Sequence, residues 1–245
     1  MESVFLINLA LKGFSLYLIQ YCTGLLVVHK GVKVNYTRKI NHFSLFLIPT
    51  YLDRIFVYRQ TFGLFILGLV LVIVSLAIYV KPLRERLSFI KVMFHSFDRP
   101  EDRPHTLLWL STQVIAGFMV IVPMIMLYAR YALLDLMLIP ILINGIGDGL
   151  AEPVGVRFGK HKYQANALFT RKKYDRSLEG SACVFITGII VIALHFSAFS
   201  PLQYFLALAF VPLLMTLAEA FSPHTWDTPF LFLVGYLSLF AIAMF

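Results

Sequence analysis

The chain reads as long apolar runs separated by short polar stretches rich in Lys and Arg. A helix needs roughly 20 apolar residues to cross the hydrocarbon core of a bilayer. Residues 61–80 and 107–129 meet that length without a single charge. The run from Ser181 to Ala218 is also uncharged, and the Phe199-Ser200-Pro201 break predicts two helices joined by a tight turn there. A last span is expected over 228–245. Residues 3–28 read as a retained first helix, because this run lacks a basic leading region and Lys12 interrupts it. Two further spans carry charge, 43–58 with Asp53 and Arg54 and 131–147 with Asp135. The pattern therefore predicts an all-α, polytopic membrane helix bundle of about eight transmembrane helices. Residues 1–245 are expected to form a single integral membrane domain.

Composition sharpens this picture. Apolar residues make up 59% of the chain and charged residues only 14%, with a mean hydropathy of +0.80. Soluble domains carry about 25% charged residues, so the excess apolar surface must face lipid. Cys22 and Cys183 both lie inside apolar runs and read as packing residues. The net charge of +8 reports orientation, and no nucleic-acid partner is expected. With the amino terminus outside, the inner loops are 29–42, 81–106, 148–180 and 222–227. The first three hold four, six and seven of the 21 Lys and Arg residues, so 17 gather on one side. The positive-inside bias makes that side cytoplasmic.

The densest chemistry lies between Asn144 and Gly180. It reads N-G-I-G-D-G-L-A-E-P-V-G-V-R-F-G-K-H-K-Y and then R-K-K-Y-D-R-S-L-E-G-S. Gly145, Gly147 and Gly149 alternate around Asp148 where an apolar span is expected to end, so a ligand would approach backbone amides beside a carboxylate. Mg²⁺ on a nucleotide takes one or two protein carboxylates, its other positions going to phosphate and water. Lys160, Lys162 and Arg176 supply cations for phosphate. Close helix packing explains the same glycines through the spacings Gly145/Gly149 and Gly155/Gly159, and a lipid-headgroup anchor explains the run Arg171 to Lys173. Asp148 has no packing role and reads as functional. The seven histidines include no pair three or four apart, and neither G-x-S-x-G nor G-x-x-x-x-G-K-[ST] occurs. These absences remove the His-box metal, serine-lipase and P-loop readings.

The string G-D-G-L-A-x-x-x-G-x-x-F-G-K-H-K, then R-S-L-E-G-S and A-E-A-F-S-P-H-T-W-D, resembles the phytol kinase, dolichol kinase and CTP-dependent diacylglycerol kinase family, distant relatives of phosphatidate cytidylyltransferases. The likeness extends from about Asn144 to Pro229, so residues 144–229 would carry the site. Arg38-Lys39-Ile40-Asn41-His42 is similar to the R-K-x-x-H element near the family's amino terminus. The resemblance implies a multi-pass enzyme of the cytoplasmic membrane face that transfers the terminal phosphoryl of CTP to a lipid alcohol with Mg²⁺. Carried over, Asp148, Lys160 and Glu219 would be catalytic. Nucleotide contacts would come from Arg38, Gly147, Gly149, Lys160, Lys162, Arg176, Ser177 and Glu179, and metal ligands from Asp148, Glu219 and Asp227. The sequence departs from the family at Thr228, where Asn is usual, and at Arg176, where Lys is commoner. CDP-lipid synthesis is the nearest rival, and a membrane prenyltransferase is a weaker one because Asp98 and Asp102 alternate with Arg99 and Arg103 and are expected to pair with them.

The charge distribution generates a topology test. Cysteines introduced at Lys33 and at Tyr163, in a background lacking Cys22 and Cys183, should both resist membrane-impermeant reagents in intact cells and label after permeabilisation. Labelling of only one in intact cells would break the eight-span arrangement.

Overall fold

The computed structural model describes residues 2–58, 61–168 and 170–245. The chain is mostly helical and groups into two compact units, 1–111 and 112–245. Among the described residues four helices are long and apolar enough to cross a membrane: Ser3–Lys30, Thr106–Arg130, Leu134–Phe158 and Pro201–Phe221. Phe62–Ala77, Leu178–Leu194 and Asp227–Ala243 are shorter apolar helices. Their outer faces are apolar, with Ile186, Ile190, Leu194 and Phe205 all exposed. Such surface points to a multi-pass membrane protein.

The first unit holds α1 (Glu2–Lys30), α2 (Val34–Ile55), α3 (Phe62–Ala77), α4 (Lys81–Arg86), α5 (Ser88–His95) and the start of α6 (Thr106–Arg130). Helix α1 packs on α2 and α5. Gly24 permits the second contact, since a Cβ there would lie 2.0 Å from the Val92 carbonyl oxygen. Tyr79, Ile90, Met93, Phe94 and Phe97 form the core, with Phe94 and Phe97 meeting edge-on at 5.1 Å.

Residues 29–42 are not the loop expected from the sequence. Gly31 turns the chain at a φ of 63°, a left-handed conformation that glycine adopts without a Cβ clash, and α2 begins three residues later. Arg38 to His42 therefore sit on a helix. Thr37 and Asn41 hydrogen-bond the carbonyl and hydroxyl of Ser96 at 2.8 and 2.7 Å, which ties α2 to the end of α5. One charged pair joins α1 to α2: Lys12 lies 2.6 Å from Asp53, which also accepts from Asn8 at 3.0 Å. Arg99 pairs with Asp102 at 2.7 Å and Arg103 with Asp98 at 2.8 Å, as the alternation predicts.

The second unit continues α6 and adds a long helical stretch in three parts. These are α7 (Leu138–Leu142), a π-helical segment Ile143–Asp148 and α8 (Gly149–Phe158). The helix thus runs ten residues past Asp148 instead of ending there, so the glycine segment is no loop. Gly147 serves close packing, because a Cβ there would lie 2.9 Å from the Val184 Cα of α9 (Leu178–Leu194). Helix α10 (Pro201–Phe221) starts at the predicted break, with Ser200 and Gln203 forming a capping box and Pro201 in the first turn. Helix α11 (Asp227–Ala243) closes the unit. Val184, Ile192, Val211, Met215, Leu231 and Leu239 are fully buried among these helices. Tyr128 donates to the Tyr236 carbonyl at 2.7 Å.

The all-α expectation needs one correction. Strands β1 (Lys162–Asn166) and β2 (Lys173–Ser177) form an antiparallel hairpin with Tyr163 opposite Arg176 and Ala165 opposite Tyr174. K-Y-Q-A-N and K-Y-D-R-S alternate with period two, so one face carries Tyr163, Ala165, Tyr174 and Arg176 and the other the polar residues. Five residues is too short for that period to outweigh the surrounding Lys and Arg in a sequence reading.

Close packing at glycine makes a direct prediction. Gly188 of α9 faces Pro212, whose Cα would lie 2.9 Å from an added Cβ, whereas nothing lies within 4 Å of such an atom on Gly68. Gly188→Ala should lower the thermal unfolding midpoint of the detergent-solubilised protein, at a cost of about 1–3 kcal/mol from overpacking. Gly68→Ala should hold or raise it, by up to about 1 kcal/mol of helix propensity.

Candidate functional site

Polar groups from six segments of the second unit meet at one buried place. The inward face of the hairpin brings Arg176 to the end of α10, where Nη1 donates to Glu219 Oε1 at 3.1 Å and to Ser222 Oγ at 3.2 Å. Only 12% of the Arg176 side chain and 6% of the Glu219 side chain remain exposed. Glu219 Oε2 accepts from Ser181 in the first turn of α9 at 2.7 Å, and the Tyr163 hydroxyl lies 2.6 Å from Ser181 Oγ. Asp148, at the end of the π-helical segment, and Asp227, at the start of α11, are both buried. Gln113 on α6 reaches Asp227 Oδ1 at 3.4 Å and Thr228 Oγ1 at 3.0 Å.

These charges act on one another. Burial alone would pull the Arg176 pKa down, yet Glu219, Asp227, Tyr163 and Asp148 together raise it above its ordinary value. The guanidinium is therefore a fixed cation. Burial also pushes the Tyr163 hydroxyl up, reinforced by the Glu219 charge, so it remains a proton donor well above neutral pH. Three carboxyl groups, Asp148, Glu219 and Asp227, thus act on one guanidinium. Among the described residues no group of three or more His, Cys, Asp or Glu side chains is arranged to hold a metal ion. A nucleotide-borne Mg²⁺ asks for less, one or two carboxylates. Asp148 and Asp227, like Glu219, offer suitable oxygen chemistry for it, and both oxygens of Glu219 also accept hydrogen bonds from other side chains.

The other expected site residues have different surroundings. Ser177 is the N-cap of α9, accepting from Gly180 N at 3.1 Å, and Gly155 and Gly159 lie so close that a Cβ on either would come within 2.9 Å of its side chain. Glu179 accepts from the His161 ring at 2.8 Å and so ties the G-K-H-K turn to α9. Lys160 is exposed, and Lys162 faces outward from β1, 3.9 Å from Asp175. Gly147 and Gly149 are buried within the helical stretch. Arg38 lies on α2 of the first unit. The hairpin is fastened by the His224 ring, stacked on Tyr174 at 3.5 Å, and by His224 N donating to the Asn166 carbonyl at 2.8 Å.

Tyr163, Ser181, Ser222 and Gln113 were not singled out from sequence. Gln113 had a signal, an amide inside the uncharged run 107–129. Tyr163 had the period-two pattern of its strand. No protein-family model, curated protein or solved structure matches the chain.

The buried pair predicts strong coupling. Arg176→Met should leave Glu219 without its cation and cost about 3–5 kcal/mol. Adding Glu219→Leu should recover part of that loss. Thermal unfolding of the two single variants and the double variant measures this as a double-mutant cycle.

Proposed function

We propose that the chain is a membrane-embedded lipid alcohol kinase that transfers the γ-phosphoryl of CTP to a long-chain alcohol at the cytoplasmic face. The single observation that carries the reading is the buried cluster of Arg176 with Asp148, Glu219 and Asp227. It brings together one or more residues from each of the three motif strings that carry the family resemblance. In this reading α2 and the shorter apolar helices join the four long ones to make eight spans, and the basic segments around the hairpin face the cytosol.

Phosphoryl transfer asks a protein mainly to position reactants and offset charge. Arg176 would hold phosphate oxygens at the cluster, and Lys160 and Lys162, exposed beside it in sequence, would attract the nucleotide from solvent. Asp148 and Asp227 would hold Mg²⁺, which when bound supplies charge neutralisation on the phosphates. The apolar helices would admit a long hydrocarbon chain, whose length such surfaces discriminate weakly. Phytol, a polyprenol and diacylglycerol share that chemistry.

Incubation with labelled CTP and a panel of lipid alcohols tests the proposal. Label from the γ position should enter an extractable lipid monophosphate, while α label should stay in water-soluble CDP. Recovery of α label in the lipid phase, dependent on phosphatidic acid, would instead assign CDP-lipid synthesis. Asp148→Asn should preserve folding and lower turnover by about two orders of magnitude, the scale of a lost key electrostatic contact. Near wild-type turnover would make Asp148 structural.

A further inference from the structure

Glu219 carries two roles by resemblance, catalyst and metal ligand, and its surroundings suggest a third. Oε1 is taken by Arg176 at 3.1 Å and Oε2 by Ser181 at 2.7 Å. A carboxylate only accepts, so Ser181 must donate its single hydroxyl proton to Glu219. The 2.6 Å contact between Tyr163 and Ser181 then has one possible direction, Tyr163 donating to Ser181. Ser222 is fixed in the same way: it donates to the Glu219 carbonyl at 2.8 Å and so accepts from Arg176. The hairpin joins the two ends of this chain of bonds into a ring, because Tyr163 and Arg176 are opposite one another in its ladder. Hairpin, α9 and α10 each contribute to this ring.

We propose that Glu219 is a positioning residue: with Ser181 and Tyr163 it forms a directed hydrogen-bond ring that holds the Arg176 guanidinium in place for the nucleotide phosphates. The inference rests on the kinase reading and assigns the metal to Asp148 and Asp227 alone. A flexible arginine loses conformational freedom each time it meets a phosphate, and a pre-fixed one has already lost it. The ring supplies that fixation, with Glu219 as the partner charge of the buried guanidinium. Fastening the hairpin is a consequence of the same bonds, so the test must separate nucleotide positioning from stability.

The experiment uses the purified full chain in lipid nanodiscs, with equilibrium binding of labelled CTP at saturating Mg²⁺ and a Mg²⁺ titration of activity at saturating CTP. Ser181→Ala removes the donor to Glu219 and should weaken CTP binding about tenfold, with the Mg²⁺ midpoint unchanged. Ser181→Thr restores the hydroxyl and should restore affinity to within about twofold. Tyr163→Phe, which keeps the ring but loses the donated bond, should show a smaller loss of about threefold. Glu219→Gln should resemble Ser181→Ala, raising the KM for CTP more than it lowers kcat. A shift of the Mg²⁺ midpoint by tenfold or more in Glu219→Gln, with CTP affinity intact, would return Glu219 to the metal shell and overturn the proposal. Unchanged CTP affinity in Ser181→Ala, when the variant is folded, would overturn it as well. Failure of the wild-type protein to bind CTP at all is a separate result that removes the kinase reading itself.

Discussion

A guanidinium buried beside a carboxylate in an apolar helical unit is the constraint around which the second unit is arranged. Taking Arg176 and Glu219 out of water costs several kcal/mol per ion, and the attraction between them offsets this only where the remaining donors and acceptors are also met. Ser181, Ser222 and Tyr163 meet them. Each comes from a different place in the chain, so the pair fixes the hairpin against the helix ends. A β-hairpin of two five-residue strands would be marginal alone. Here its inward face is held by charge at Arg176 and by the His224 stack on Tyr174.

Such a pair can be enclosed only if the helices beneath it approach closely. Gly147, Gly180 and Gly188 provide that approach, each at a point where a Cβ would collide with a neighbouring helix. Gly180 lies next to Ser181 and allows α9 to meet the Ala151 carbonyl of α8, so that packing contact and polar ring share one turn. The π-helical segment ends on Asp148. Extra residues in a helical turn re-aim side chains, and such segments recur at functional sites. Backbone geometry and buried charge are therefore linked: the glycines that make the packing tight also bring the carboxylate to the guanidinium.

Much of the fold was legible in the sequence. The expected spans 107–129 and 61–80 correspond to α6 and α3, and the Phe199-Ser200-Pro201 break sits where α10 is capped. What escaped was legible only through tertiary context. Glycine alternation beside Asp148 signals a loop or a packing seam equally well, and the contact with Val184 decides for packing. The polar run 29–42 hides a helix because Thr37 and Lys39 are buried, and burial reverses the meaning of a polar residue. The site followed the same rule. Asp148, Arg176, Glu219 and Asp227 stood out as charges in motifs, whereas Tyr163 and Ser181 matter through bonds to residues distant in sequence, which no local spacing records.

The electrostatics of the cluster also say how a triphosphate would have to arrive. Arg176 is paired with Glu219, and Asp148 and Asp227 add two further carboxyl groups to the same cluster, so in the kinase reading a bare polyanion would meet acids there as well as a cation. The exposed cations Lys160 and Lys162 lie outside the cluster, so they can raise the local concentration of an anion without cancelling those two carboxylates. In the kinase reading a divalent cation would travel with the nucleotide or precede it. The carboxylates that repel the free triphosphate would become favourable contacts once that cation is present. In that reading Arg176 and the acids would be complementary: the guanidinium would orient phosphate oxygens, and the acids would select for the metal-bound form of the nucleotide over the free one.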